Sequence, residues 1–199
     1  MCYNMDCYKK KINVYSGSVL CDSGLIRFKY KNNICKVSIG RATFLNPICN
    51  KIKIPKIEGL IAKTALATEV SVGNNHLVLI LNVTYNVALL LGKKLTLRNR
   101  FHDSVNVVFI KKIYSNKILL TVFEKGVGVT KSCGSGACAA IAALSSMNKF
   151  YLNKLMEVQF LHGRLKVIAS LKGNKCNIVS PIMCIYGIAN KVFEGSIKL

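Results

Sequence analysis

The chain has 199 residues, 51% of them hydrophobic, enough for one ordinary domain or two small lobes with a packed core, and no apolar run reaches the roughly 18–20 residues of a membrane span. Its net charge of +21 comes from 29 basic against 8 acidic side chains, yet only Arg27, Arg41, Arg98, Arg100 and Arg164 are not lysine, and the lysines are scattered apart from Lys9–Lys11. Nine cysteines, an odd count with no Cys-x-x-Cys spacing, argue against a disulfide framework or a structural zinc site and for reduced thiols in a cytoplasmic protein.

In chain order, 25–30 and 34–39 read as strands flanking Lys31-Asn32-Asn33, a hairpin turn. Pro47 and Pro55, with basic residues between them, mark a linker or lobe boundary. Two further strands, 67–72 and 77–83, surround Gly73-Asn74-Asn75-His76. Thr84 opens a helix running through 86–91, and its Asn82, Thr84 and Asn86 interrupt the longest apolar stretch, 77–91. Residues 106–113 and 117–123 form another hairpin turning at Ser115-Asn116. A second helix, 136–144, is small and apolar all round, which predicts a buried position. Strands at 158–161 and 165–171 flank His162-Gly163-Arg164, and 184–188 and 192–197 complete the chain. Many strands around one buried helix predict an α+β fold, the helix lying inside a strongly curved sheet.

Chemistry concentrates between Phe123 and Ala143. Gly126, Gly128, Gly134 and Gly136 permit positive φ and close backbone approach by a ligand. The helix start offers unpaired N–H groups and a dipole that favours anions, such as a substrate carboxylate. Cys133 stands at that positive end, which predicts a lowered thiol pKa and a thiolate able to serve as base or nucleophile. Cys138 points elsewhere on the helix, as a packing residue. The segment lacks the Lys-Ser/Thr ending of a phosphate loop. A tight connection and a core cysteine remain the structural alternative.

The runs EKGVG at 124–128 and TKSCGSGACAA at 130–140 closely resemble the second active-site motif of the diaminopimelate epimerases. The likeness continues outside it. GNNH at 73–76 resembles the family's Gly-Asn-Pro-His, NVVF at 106–109 its Asn-Ile/Val-x-Phe strand, and HGRL at 162–165 its Gly-Gly-x-Leu. VFEGSIKL at 192–199 resembles the family's C-terminus, and the order agrees from about Gly24 onward.

The resemblance implies two pseudo-symmetric lobes of curved sheet around central helices, the first lobe incomplete here. Residues 1–45, joined by 186–199, would be its remnant, and 46–185 the second lobe. It implies epimerisation of L,L-diaminopimelate to the meso form in lysine biosynthesis, without pyridoxal phosphate, other cofactor or metal. Two cysteines face opposite sides of the substrate α-carbon in that chemistry, one removing a proton and the other returning one. Carried over, Cys133 is one acid/base, Gly134 and Ser135 offer N–H groups to the carboxylate, and Asn74 and Asn106 hydrogen-bond the substrate. Glu124 and Lys125 hold its amino-acid ends, and His76 lies near the catalytic cysteine. The resemblance allows a homodimer, with Phe193 at a dimer-contact position. The residues themselves, with scattered lysines, no recognition motif and no span-length apolar run, point to neither a specific nucleic-acid partner nor a membrane.

Three departures stand out. Lys125 replaces the family's Arg and loses its bidentate fork, and Val129 replaces a Glu. The first motif, Cys-Gly-Asn-Gly, has no counterpart: Cys133-Gly134 is the only Cys-Gly pair, and Cys2, Cys7 and Cys21 lack the glycine context. Two alternatives stay open, a related racemase acting on another amino acid such as proline, and a fragment without independent activity.

Overall fold

A computed structural model describes residues 14–21, 24–45, 49–97, 105–148, 151–171, 180–190, 192 and 195. Cys2, Cys7, Phe193 and most of the expected strand at 192–197 lie outside them. The strands are β1 (Val14–Cys21), β2 (Gly24–Lys31), β3 (Ile34–Arg41), β4 (Thr43–Phe44), β5 (Asn50–Lys53), β6 (Thr64–Ser71) and β7 (Asn75–Ile80). Helix α1 (Tyr85–Thr96) follows, then β8 (Asn106–Ile113), β9 (Lys117–Glu124) and β10 (Gly128–Thr130). Helix α2 (Gly134–Met147) leads to β11 (Met156–Phe160), β12 (Gly163–Ser170) and β13 (Ile182–Ile188).

These strands form one mixed sheet in the order β1-β2-β3-β13-β12-β11-β9-β8-β7-β6-β4, with β5 on β6 and β10 on β9. The pairs β7–β8 and β9–β11 are parallel. Parallel neighbours need a crossover, and α1 and α2 supply the two crossovers. The fold is α+β, as the sequence predicts. No helix among the described residues is long and apolar enough to cross a membrane.

Side-chain alternation puts the two helices on opposite faces. Along β8, Val108 and Ile110 join the core around α2, whereas Val107 and Phe109 join the core around α1. Along β9, Ile118, Leu120 and Val122 face α2 and Phe123 faces α1. Every residue of α2 from Gly136 to Ser145 is buried, against β6, β7, β8, β12 and β13. A helix with no polar face survives only with sheet wrapped around it. By contrast α1 buries a single stripe, Val87, Ala88, Leu91, Gly92 and Leu95. Thr84 caps it, its Oγ1 accepting the Val87 N–H at 3.4 Å, and Lys93 and Lys94 complement the dipole at its far end. At Gly92 the helix approaches β9 so closely that a Cβ would lie 2.3 Å from the Phe123 ring.

The β2–β3 hairpin turns on Asn32 and Asn33, both at positive φ (51° and 60°), the pair of left-handed residues that a two-residue hairpin demands. The segment between Pro47 and Pro55 corrects the linker expectation. It contains β5, paired with β6, and Ile52 and Ile54 bury themselves in the α1 core while Lys51 and Lys53 stay exposed. That is a period-two strand partly concealed by its lysines. Strand β1 has no counterpart in the sequence reading, because serines and Gly17 weaken its strand character. Gly17 sits over the Phe28 ring, where a Cβ would meet it at 3.0 Å.

Candidate active site

Three segments converge on the α2 face of the sheet: the β6–β7 turn, the start of β8, and the run from the end of β9 through β10 into α2. His76 pairs in register with Asn106, and alternation sets both on the face shared by Val78 and Val108. Glu124 follows Val122 by two positions and takes the same face.

Cys133 is the N-cap of α2, with extended backbone (φ −145°, ψ 113°). Its Sγ accepts the Gly136 N–H at 3.3 Å and lies 3.4 Å from Ser135 Oγ. Cys133 O accepts the Ala137 N–H at 3.0 Å. The N–H groups of Gly134 and Ser135 belong to the first turn, which intrahelical bonding leaves unpaired.

Burial corrects the expected thiolate. Desolvation pushes the Cys133 thiol up, and the hydrogen bonds from Ser135 and Gly136 pull it down without prevailing. The Glu124 carboxylate also pushes upward, through its charge and as a hydrogen-bond partner of the neutral thiol. A helix terminus lowers a pKa while water still reaches the sulfur. Here Cys133 is only 8% exposed, and the uncharged form wins. Cys138 is fully buried, and desolvation raises its pKa further, in keeping with a packing role.

Asn74 Nδ2 donates to Ser135 Oγ at 3.5 Å, joining the β6–β7 turn to the first turn of α2. Behind it, His76 Nδ1 lies 3.0 Å from Asn74 O. A carbonyl only accepts, so Nδ1 carries the hydrogen and Nε2 is bare. Nε2 is buried and has no partner among the described residues. Burial pushes the His76 pKa down to about 4, so the ring is neutral near pH 7. His76 therefore reaches Cys133 only through Asn74 and Ser135.

Asn106 Oδ1 accepts the Lys125 N–H at 3.0 Å, which ties the β9–β10 turn to β8. The Lys125 side chain is exposed at that turn. Thr130 Oγ1 donates to Glu124 Oε1 at 2.5 Å, a contact the sequence reading missed. Its signal was present: Thr130 lies on the face of Glu124 once β10 is recognised as a strand.

Asn74, Ser135, Cys133, Glu124 and Asn106 thus share one face, with His76 beneath and Lys125 at the rim. The arrangement can move a proton at sulfur, pass it to a carboxylate, and hold an anion at a helix start. Among the described residues no three His, Cys, Asp or Glu side chains converge as metal donors. A separate cavity of about 490 Å³, bounded by Tyr85, Lys111, Lys131, Gln159 and Leu161, shares Thr130 with this site but is not lined by Cys133 or Glu124.

The sequence profile of the diaminopimelate epimerases matches residues 68–183, a span holding every residue of this constellation. The chain is 32% identical over 177 residues to the diaminopimelate epimerase of Buchnera aphidicola subsp. Baizongia pistaciae, covering 86% of this chain and 55% of that protein. It is 31% identical over 198 residues to that of Rickettsia akari, covering 96% and 66%. The chain therefore spans between about half and two thirds of these relatives' length. A hydroxyproline epimerase from Agrobacterium vitis, solved with trans-4-hydroxy-L-proline bound, superposes with a TM-score of 0.72 over 90% of this chain and 58% of its own, at 11% identity. That likeness concerns the fold alone.

Proposed function

The chain belongs to the diaminopimelate epimerase family, and on that premise we propose that its Cys133 site serves the cofactor-independent epimerisation of L,L-diaminopimelate to the meso form. The observation that carries this reading is the buried thiol at the start of α2, flanked by a carboxylate and by two first-turn N–H groups. In this scheme the substrate carboxylate sits on the Gly134 and Ser135 N–H groups, which stabilise the charge that develops when the α-proton leaves. Asn74 and Asn106 orient the amino acid, Lys125 meets one of its charged ends, and burial excludes water. Cys133 rests as a thiol, ready to protonate the carbanion. In the reverse direction it first yields its S–H proton to Glu124, then takes the α-proton as thiolate. His76 stays neutral and supports Asn74. The division into a second lobe, 46–185, and a first-lobe portion, 1–45 with 186–199, belongs to the same proposal.

Inversion also needs a proton donor on the opposite face of the α-carbon. Among the described residues no second cysteine is hydrogen-bonded into this constellation. Cys138 and Cys184 are core residues, while Cys21, Cys35 and Cys49 lie on β1, on β3 and before β5. The chain alone is therefore proposed to exchange the α-proton on one face and to invert poorly.

The test is L,L-diaminopimelate in deuterated water with the purified chain. Deuterium entering the α-position with little meso product is expected. Rapid conversion to meso would overturn the one-faced reading. Exchange with proline but not diaminopimelate would favour the second reading, a related racemase.

A further inference from the structure

We propose that Thr130 is a positioning residue of this site, donating its hydroxyl hydrogen to Glu124 Oε1 and so holding the carboxylate against the Cys133 thiol. The inference rests on the assignment of Cys133 and Glu124 as an acid/base pair and adds the group that makes the pair work.

The geometry is specific to the short strand β10. It runs antiparallel to β9 with Gly128 opposite Glu124, Val129 opposite Phe123 and Thr130 opposite Val122. Residues facing each other across a ladder share a side, and so do those two apart along it. Glu124, Gly128 and Thr130 therefore stand on one face, and Gly128 contributes no side chain to separate the other two. Gly128 also has φ +101°, a conformation that keeps larger residues out of this lane. Among the described residues the ion pairs involve Glu157 and none holds Glu124. The hydroxyl of Thr130 is what restrains it.

Two consequences follow for the chemistry. With Oε1 engaged, Oε2 is the oxygen left to receive the thiol proton: the S–H bond breaks, an O–H bond forms on Oε2, and the thiolate is released. Thr130 also lies three residues before Cys133, so one segment carries both the thiol and the anchor of its partner. The titratable group acting on the Cys133 sulfur is Glu124 from β9; along α2, Cys138 feels Cys133 in turn. His76 of β7 is connected through Asn74 and Ser135.

The experiment is alkylation of the intact chain by iodoacetamide across pH 6–10, followed for Cys133 by peptide-resolved mass spectrometry; it needs no substrate. Glu124→Gln removes the neighbouring negative charge and is expected to speed Cys133 labelling at pH 7.5 by roughly three- to ten-fold. Thr130→Val frees the carboxylate and is expected to give a comparable acceleration, whereas Thr130→Ser keeps the wild-type profile. In the Glu124→Gln background, Thr130→Val should add nothing, because its effect passes through Glu124. Thr130→Ala replaces valine in the cycle if valine crowds the strand, with urea midpoints reporting folding. A Thr130→Val profile identical to wild type, or an acceleration that persists without Glu124, overturns the proposal. A Glu124→Gln profile identical to wild type overturns both it and the acid/base pair. Failure of L,L-diaminopimelate to exchange its α-proton with these shifts intact would instead count against the proposed substrate alone.

Discussion

Cys133 and Gly136 are joined by a hydrogen bond from the Gly136 N–H to Cys133 Sγ at 3.3 Å, so the residue proposed to move the proton also caps the helix behind it. The two roles separate by substitution. Ser is a good N-cap and Ala a poor one. Cys133→Ser is expected to hold or raise the denaturation midpoint, and Cys133→Ala to lower stability by about 1 kcal/mol. Both should abolish α-proton exchange in deuterated water. Exchange surviving in the serine variant would remove Cys133 from the chemistry.

The buried His76 sets a pH dependence of stability. Its folded pKa, about 4, lies below the unfolded value of about 6.5. Between these values the unfolded chain binds more protons, so stability rises with pH. The contribution is complete above pH 6.5 and is lost as pH falls toward 4, on the order of 3 kcal/mol in total. Urea titrations at pH 4.5 and 7 should show this loss, and His76→Gln should flatten it. A His76→Gln slope equal to wild type would mean that the ring is not held neutral.

Gly92 tests the closeness of α1 and β9. An alanine there gains helix propensity, up to about 1 kcal/mol. Its Cβ would meet the Phe123 ring at 2.3 Å and Phe123 Cβ at 2.6 Å, and overpacking of that kind costs about 1–3 kcal/mol. The clash wins, so Gly92→Ala should lower the urea midpoint. Because Phe123 adjoins Glu124, it should also disturb Cys133 labelling. A stabilised Gly92→Ala variant would contradict the approach described.

Asn106 accepts the Lys125 N–H through Oδ1, and its Nδ2 is the group proposed to meet the substrate. Asn106→Ala loses the acceptor for the Lys125 N–H, at a cost of about 1 kcal/mol. Asn106→Asp keeps that acceptor and should recover the stability, yet it places a second negative charge beside the site and should not recover proton exchange. Full exchange in Asn106→Asp would show that the amide's donor group is dispensable.

How much of this was legible in the residues varies with the physics behind each element. The hairpins at 31–33 and 115–116 announced themselves through local turn chemistry, and α2 through an apolar composition only burial explains. The positions of Asn74, Ser135 and Glu124 on one face became readable through motif resemblance, because registers β6–β7 and β9–β10 are tertiary facts. Strands β1 and β5 were hidden, one by glycine and serine, the other by lysines between prolines. The charge state of Cys133 was misread for a related reason. The helix start is visible in the sequence, but the desolvation that overrides it comes from a sheet closing around α2. Thr130 escaped notice because its partner sits six residues away, across a turn whose strand is three residues long.

The pairing of β3 with β13 constrains how the chain reaches this state. Ile182 of β13 lies opposite Arg41 of β3, and Ser180 Oγ donates to Ala42 O across 138 residues of sequence. On a ribosome, β3 therefore presents a bare edge throughout synthesis of α1, α2 and the strands between them. Such an edge is a template for pairing with other chains, and contacts of this separation form slowly because loop closure precedes their reward. Folding of the nascent chain is expected to wait for β13, with chaperone dependence and aggregation of products that stop before Ile182.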